Sequence, residues 1–193
     1  MSIARSLAFV ALLGAGLAAN CPAAAQSTAA PTAQPAEDHA ELKDFFGRFT
    51  GKGLADERLL FYGVTDRELE LTIGPTDKGF KVDWSTAMRP SGDPYNDKVK
   101  RKANELSFVS SGRENFWRLS EQGDPLQGEA FGWARIAGRS LIIYLMRVDE
   151  KGLLEINQYI RTLTSTGIEV AFSMSREGRD VRTVDAKLDR VSN

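Results

Sequence analysis

The chain has almost none of the side chains that carry metal, redox or covalent chemistry. Its 193 residues include one cysteine, Cys21, and one histidine, His39. A structural zinc site takes four nitrogen or sulfur ligands, so a transition-metal centre is not expected. His39 lies beside a Pro/Ala/Gln-rich tail and reads as solvated rather than as a general base, which needs a positioned partner in a cleft. Ser110-Ser111-Gly112 and Ser173-Met174-Ser175 lack a base that would activate a hydroxyl. Glu121, Asp124 and Glu129 do not follow the ligand spacing of a calcium loop. The glycine-rich turns do not lead into helices, which excludes a phosphate loop. No catalytic set can be assembled, and neither enzyme activity nor a cofactor is expected.

One-sided charge is lacking as well. Lys and Arg total 25 against 26 Asp and Glu, and the two signs are interspersed. A nucleic-acid binder would concentrate its bases into a stripe. Beyond the N-terminus there is no apolar run of about 18 residues, so no transmembrane span is expected after processing.

What is present begins with an export signal. Arg5 supplies a positive start, residues 7–19 a short apolar stretch, and Ala23-Ala24-Ala25 a small-residue cleavage site. Residues 1–25 therefore read as a signal peptide rather than a buried helix, and the protein as periplasmic or secreted. Cleavage there removes Cys21 and leaves no thiol for a disulfide. The alternative is a lipoprotein attached through Cys21, with Leu17 and Ala18 upstream, although Asn20 and Pro22 flank that cysteine poorly for it. Residues 26–36 have almost nothing to bury and read as a disordered tether. Residues 37–193 then form one domain, large enough to be held by a single core.

Within that domain a brief helical pattern spans 37–46, with Leu42, Phe45 and Phe46 on one side. From Gly47 the period becomes two. Strands are expected at 47–53, weakly at 57–63, at 69–73 and at 80–88, with shorter ones at 98–103, 106–110 and 115–120. Residues 90–96 read as a loop. From Gly128 to Val191 five strands follow in order, with turns at Gly138-Arg139, 149–152, 165–167 and 177–179. The sum is an all-β fold of about ten short antiparallel strands. Hairpin-length links favour an up-and-down barrel, because closure removes the exposed edges. The segment at Leu42 to Phe46 is a possible lid.

Antiparallel partners directly opposite each other project to the same side, so the turns sort the two faces. One face collects Phe131, Trp133 and Arg135; Ile142, Tyr144, Met146 and Val148; Glu155, Asn157, Tyr159 and Arg161; and Ile168, Val170, Phe172 and Met174. A three-residue turn after Arg176 adds Val184, Ala186 and Leu188. This face is expected to point inward, joined by Phe80, Trp84 and Phe108, because its last two strands are apolar on that side only. The other face exposes Leu141, Ile143, Leu145, Leu154, Ile156 and Ile160, an apolar patch that needs cover. A one-residue slip would invert the assignment.

The chain resembles the calycin barrels, which include lipocalins and fatty-acid-binding proteins. Gly47-Arg48-Phe49-Thr50-Gly51-Lys52-Gly53 is similar to the Gly-x-Trp-x-Gly-x-Gly opening of nitrobindin-like bacterial barrels, with Phe49 in the Trp position. The ending from Val184 to Arg190 resembles their closing strand. The resemblance implies a ligand-holding barrel. Haem-binding members carry a histidine near that last strand and this chain has none, which argues against haem.

Two functions are expected. In the first, the lumen holds a small amphiphilic or acidic molecule against Trp84, Trp133, Tyr144, Asn157 and Phe172. Arg135, Tyr159 and Arg161 would then meet a carboxylate or phosphate. Against it stands a plain core in which the aromatics only pack and the arginines line a solvated rim or pair with Glu155. In the second, a packed barrel works through the outward patch as a homodimer or envelope partner.

Overall fold

In a computed structural model, residues 39–57, 64–88 and 99–191 are described, the side chains of Glu57, Val64 and Thr65 excepted. Ten antiparallel strands run in sequence order around a closed barrel: β1 (Gly47–Glu57), β2 (Val64–Thr76), β3 (Gly79–Met88), β4 (Lys100–Ser110), β5 (Phe116–Leu119), β6 (Phe131–Ala137), β7 (Ser140–Val148), β8 (Leu154–Leu163), β9 (Gly167–Arg176) and β10 (Arg179–Val191). β1 pairs with both β2 and β10, so the sheet has no free edge. The up-and-down barrel expected from the alternation is therefore the fold. Among the described residues no helix is long and apolar enough to cross a membrane.

Closure depends on the glycines of β1. Gly51 and Gly53 lie opposite Leu188 and Ala186 of β10, and a Cβ on either would meet β10 at a distance no side chain tolerates. The absence of a side chain lets the first and last strands approach and bend.

Several elements differ from the alternation pattern. β2 continues through Gly74 and Pro75 to Thr76, leaving only Asp77 and Lys78 in the turn. The strands expected at 98–103 and 106–110 are one strand, β4, because both pair without a break along β3. The weak strand expected at 57–63 and the loop at 90–96 lie outside the described residues, apart from Glu57, which ends β1. The helical pattern is a 3-10 turn at Leu42–Phe45 rather than a longer helix over the barrel wall. It does not cover the sheet as a lid. Phe45 is fully buried and belongs to the same core cluster as Phe49, Ile73, Phe80, Phe108 and Ile168, while Ala40 N–H donates to Gly138 O in the β6–β7 turn. The chain's entry thus closes one end of the barrel.

That end is solid. Phe80 and Phe108 stack at 4.9 Å, and Trp117 meets Phe80 edge-on at 5.4 Å. The opposite end receives the 149–153 and 177–178 turns and is hollow.

One turn decides which residues face the hollow. The β7–β8 connection spans 149–153, since Val148 pairs with Leu154. Asp149 builds it. Its Oδ1 accepts from the N–H groups of Lys151 and Leu153, each at 2.9 Å, and its own N–H donates to Leu153 O at 2.9 Å. Leu153 is thereby held in the loop, which is one residue longer than the expected 149–152 turn. Side chains alternate along a strand, so this single residue turns β6 and β7 over relative to β8.

The β9–β10 connection shows the opposite case. A two-residue turn at Glu177-Gly178 replaces the expected three-residue one, but a bulge between Asp180 and Arg182 adds a residue back. Val184, Ala186 and Leu188 point inward as expected.

Candidate ligand-binding lumen

The hollow half of the barrel encloses a cavity of about 390 Å³. Its wall includes Leu69, Leu71, Trp84, Val170, Phe172, Met174, Val184 and Leu188, with Asn157, Tyr159 and Arg161 among them. That size and mixture of apolar wall with a few polar groups suit a small-molecule site. Of the residues singled out in the sequence, the structure brings Trp84, Asn157, Tyr159, Arg161 and Phe172 together here.

Trp133, Arg135 and Tyr144 do not join them, and their expected inward orientation is corrected. The longer 149–153 turn sets Ile143, not Ile142, opposite Tyr159. Ile143, Leu141 and Ala134 are fully buried inside. Trp133 and Tyr144 instead stack at 5.2 Å on the outer surface, and the Tyr144 hydroxyl accepts from Gln158 Nε2 at 2.9 Å. Arg135 lies beside exposed Phe116 on the same outer face. The outward apolar patch survives with altered membership. Leu154, Ile156 and Ile160 remain in it, Phe131, Trp133, Tyr144 and Met146 enter it, and Leu141, Ile143 and Leu145 leave it.

Arg161 is a fully buried charge in the lumen. It is 2 % exposed, and its Nε and Nη1 have no hydrogen-bond partner among the described residues. The guanidinium carbon lies 5.6 Å from the Trp84 ring and 5.3 Å from that of Tyr159. Ring faces attract a cation but do not neutralise it. Burial accordingly pulls the Arg161 pKa down to about 10. Burial also raises the Tyr159 phenol above its ordinary value, with Arg161 opposing that shift. Tyr159 packs on Trp84 at 5.3 Å and on Phe172 at 4.8 Å, so the cation is held by a rigid aromatic cluster.

The other inner carboxylate–arginine group sits toward the open end and is saturated. Glu155 Oε1 accepts from Arg147 Nε at 3.0 Å, and Oε2 accepts from Arg176 Nη2 at 3.2 Å. Burial pushes the Glu155 carboxyl up, but hydrogen bonding and charge from Arg176 and Arg147 outweigh it and hold the group below the usual range. Asp149 adds a second ion pair to Arg176 at 3.6 Å. Six residues of β8 separate Glu155 from Arg161, about 20 Å along the strand, so this carboxylate does not serve the deep cation.

Comparison with known proteins adds no relative. The chain matches no protein-family model, no curated protein and no solved structure. Any assignment of function therefore stands on the lumen itself. Arg182 and Arg67 also line it, with Arg182 lying 5.8 Å from the Phe172 ring. Neither was singled out in the sequence. Arg67 falls next to the unclear 57–63 segment, and Arg182 follows the bulge that the alternation pattern did not reveal. Among the described residues no group of three or more His, Cys, Asp and Glu side chains is placed to hold a metal.

Proposed function

We propose that this protein is an exported, calycin-like binding barrel that holds a small amphiphilic acid in its lumen. The observation that carries the reading is Arg161. An unpaired cation in an apolar interior costs several kcal/mol, and a fold with no use for it gains by replacing it with a hydrophobe. A carboxylate entering the lumen supplies the missing partner through charge-assisted hydrogen bonds to Nε and Nη1. Its apolar remainder then packs on Leu69, Val170, Phe172 and Val184. Among the described residues no acid–base pair adjoins the site, which favours binding over catalysis.

Native mass spectrometry of protein purified without detergent tests this, together with titration of dodecanoate followed by tryptophan fluorescence. The expected result is a bound species or a saturable change in Trp84 emission. A uniformly unliganded mass with no spectral response rejects the proposal.

A second reading rests on the stacked outer aromatics Trp133 and Tyr144 beside exposed Phe131 and Leu154. It makes the barrel an interaction module that self-associates through β6–β8. Concentration-dependent sedimentation that Trp133→Ser abolishes would support it, and a monomer at all concentrations would remove self-association.

A further inference from the structure

The lumen carries positive charge at two depths, and the two sets have different surroundings. Deep in the lumen is the guanidinium of Arg161, enclosed by Trp84 and Tyr159, with Arg67 and Arg182 elsewhere on the wall. At the rim are Lys100 and Lys102. They lie opposite Met88 and Thr86 of β3, respectively four and two residues beyond inward-facing Trp84 on alternate positions, so both lysines share the inner face and line the cavity. Both are exposed, and neither makes an ion pair among the described residues. Among the described residues, the inward-facing carboxylate of the cavity wall, Glu155, is already held by Arg147 and Arg176. Among the described residues, the rim lysines therefore have no acid paired with them.

Accepting the lumen as a ligand site, we propose that its ligand is an elongated diacid with one carboxylate on Arg161 and a second acidic group at the rim on Lys100 and Lys102. The deep group is a monoanion. The Arg161 guanidinium, whose immediate neighbours are the Trp84 and Tyr159 rings, matches the one charge of a carboxylate. The rim is wet and multiply cationic, and takes the second group at little desolvation cost. The spacing follows from β3. Trp84 touches Arg161, and two to four residues of strand carry the chain to the rim lysines, about 7–13 Å away before side-chain reach is added. A medium-length apolar spacer bridges that interval along Phe172 and Met174.

Calorimetric titration compares decanoate, dodecanoate and tetradecanoate with the α,ω-dicarboxylate of each length. At low salt at least one diacid should bind about tenfold more tightly than its own monoacid, as expected for two exposed charge pairs. This advantage should shrink at high salt, because the rim is screened and the buried Arg161 contact is not. Lys100→Gln with Lys102→Gln should erase the diacid advantage and leave monoacid affinity unchanged. If monoacids bind and no diacid binds better, or if the double variant keeps the preference, the diacid inference is overturned and the lumen reading stands. If neither series binds, both fall.

Discussion

Arg161 and Glu155 stand on the same face of the same strand, and the fold treats their charges in opposite ways. Glu155 is buried but has two arginines, and its carboxyl is held below the ordinary value. Such a group stabilises the fold fully above its unfolded pKa, near 4.5, and loses that contribution as pH falls through the lower folded value. Glu155→Gln should therefore cost about 1–3 kcal/mol in urea unfolding at pH 7. The difference from wild type should narrow progressively below pH 4.5. An equal gap at pH 7 and pH 3 would show that the carboxylate charge contributes nothing. Arg161, Tyr159, Asn157 and Phe172 were legible as lumen residues because aromatic and polar side chains alternate with a different set along β8 and β9, and Trp84 because of the same alternation along β3. That Arg161 lacks a partner was not legible, since the sequence offers Glu155 two positions before Asn157 and only the strand length separates them.

At the scale of the strand pair, a single side chain misdirects the reading of two strands. Every turn after Gly128 was visible as a cluster of Gly, Asp, Ser or Glu, and the relative parity of β8 and β9 follows from those clusters, whereas that of β10 rests on a shorter turn offset by the bulge between Asp180 and Arg182. The β7–β8 turn differs because Asp149 accepts two backbone N–H groups and draws Leu153 out of the ladder. Hydrophobicity gives no warning, since both faces of β7 are apolar: Leu141, Ile143 and Leu145 on one, Ile142, Tyr144 and Met146 on the other. Where both faces are greasy, only turn geometry sets register. The consequence is testable with one residue type at two sites. Ile143→Asp places a carboxylate at a position with 0 % exposure and should abolish folded expression. Ile156→Asp, on the outer face, should cost under about 1 kcal/mol in urea unfolding. Folding of the first variant and loss of the second would mean that the strands are registered the other way.

Across the whole molecule, the barrel is divided twice. Along its axis one half is a solid core closed by Phe45 and the other a lumen of about 390 Å³. Around its circumference, the outer faces of β2 to β4 carry Asp66, Glu70, Lys81, Asp83 and Glu105, while β6 to β8 present Phe131, Trp133, Tyr144, Met146 and Ile156. Strand number and closure were readable from regular turns and period-two alternation. How far side chains fill the interior was not, because filling depends on which of two apolar faces turns inward and on how deep the entry segment sits. The central claim is that the fold keeps an unpaired cation at the base of its lumen for a ligand's acid. Thermal unfolding of wild type and Arg161→Met, each with and without saturating dodecanoate, tests it most directly. The variant should melt higher than wild type without ligand, by the equivalent of about 1–4 kcal/mol, because a hydrophobe replaces a buried charge. Dodecanoate should raise the melting temperature of wild type and leave that of the variant unmoved. A variant that melts lower yet keeps the full ligand-induced rise would contradict the account.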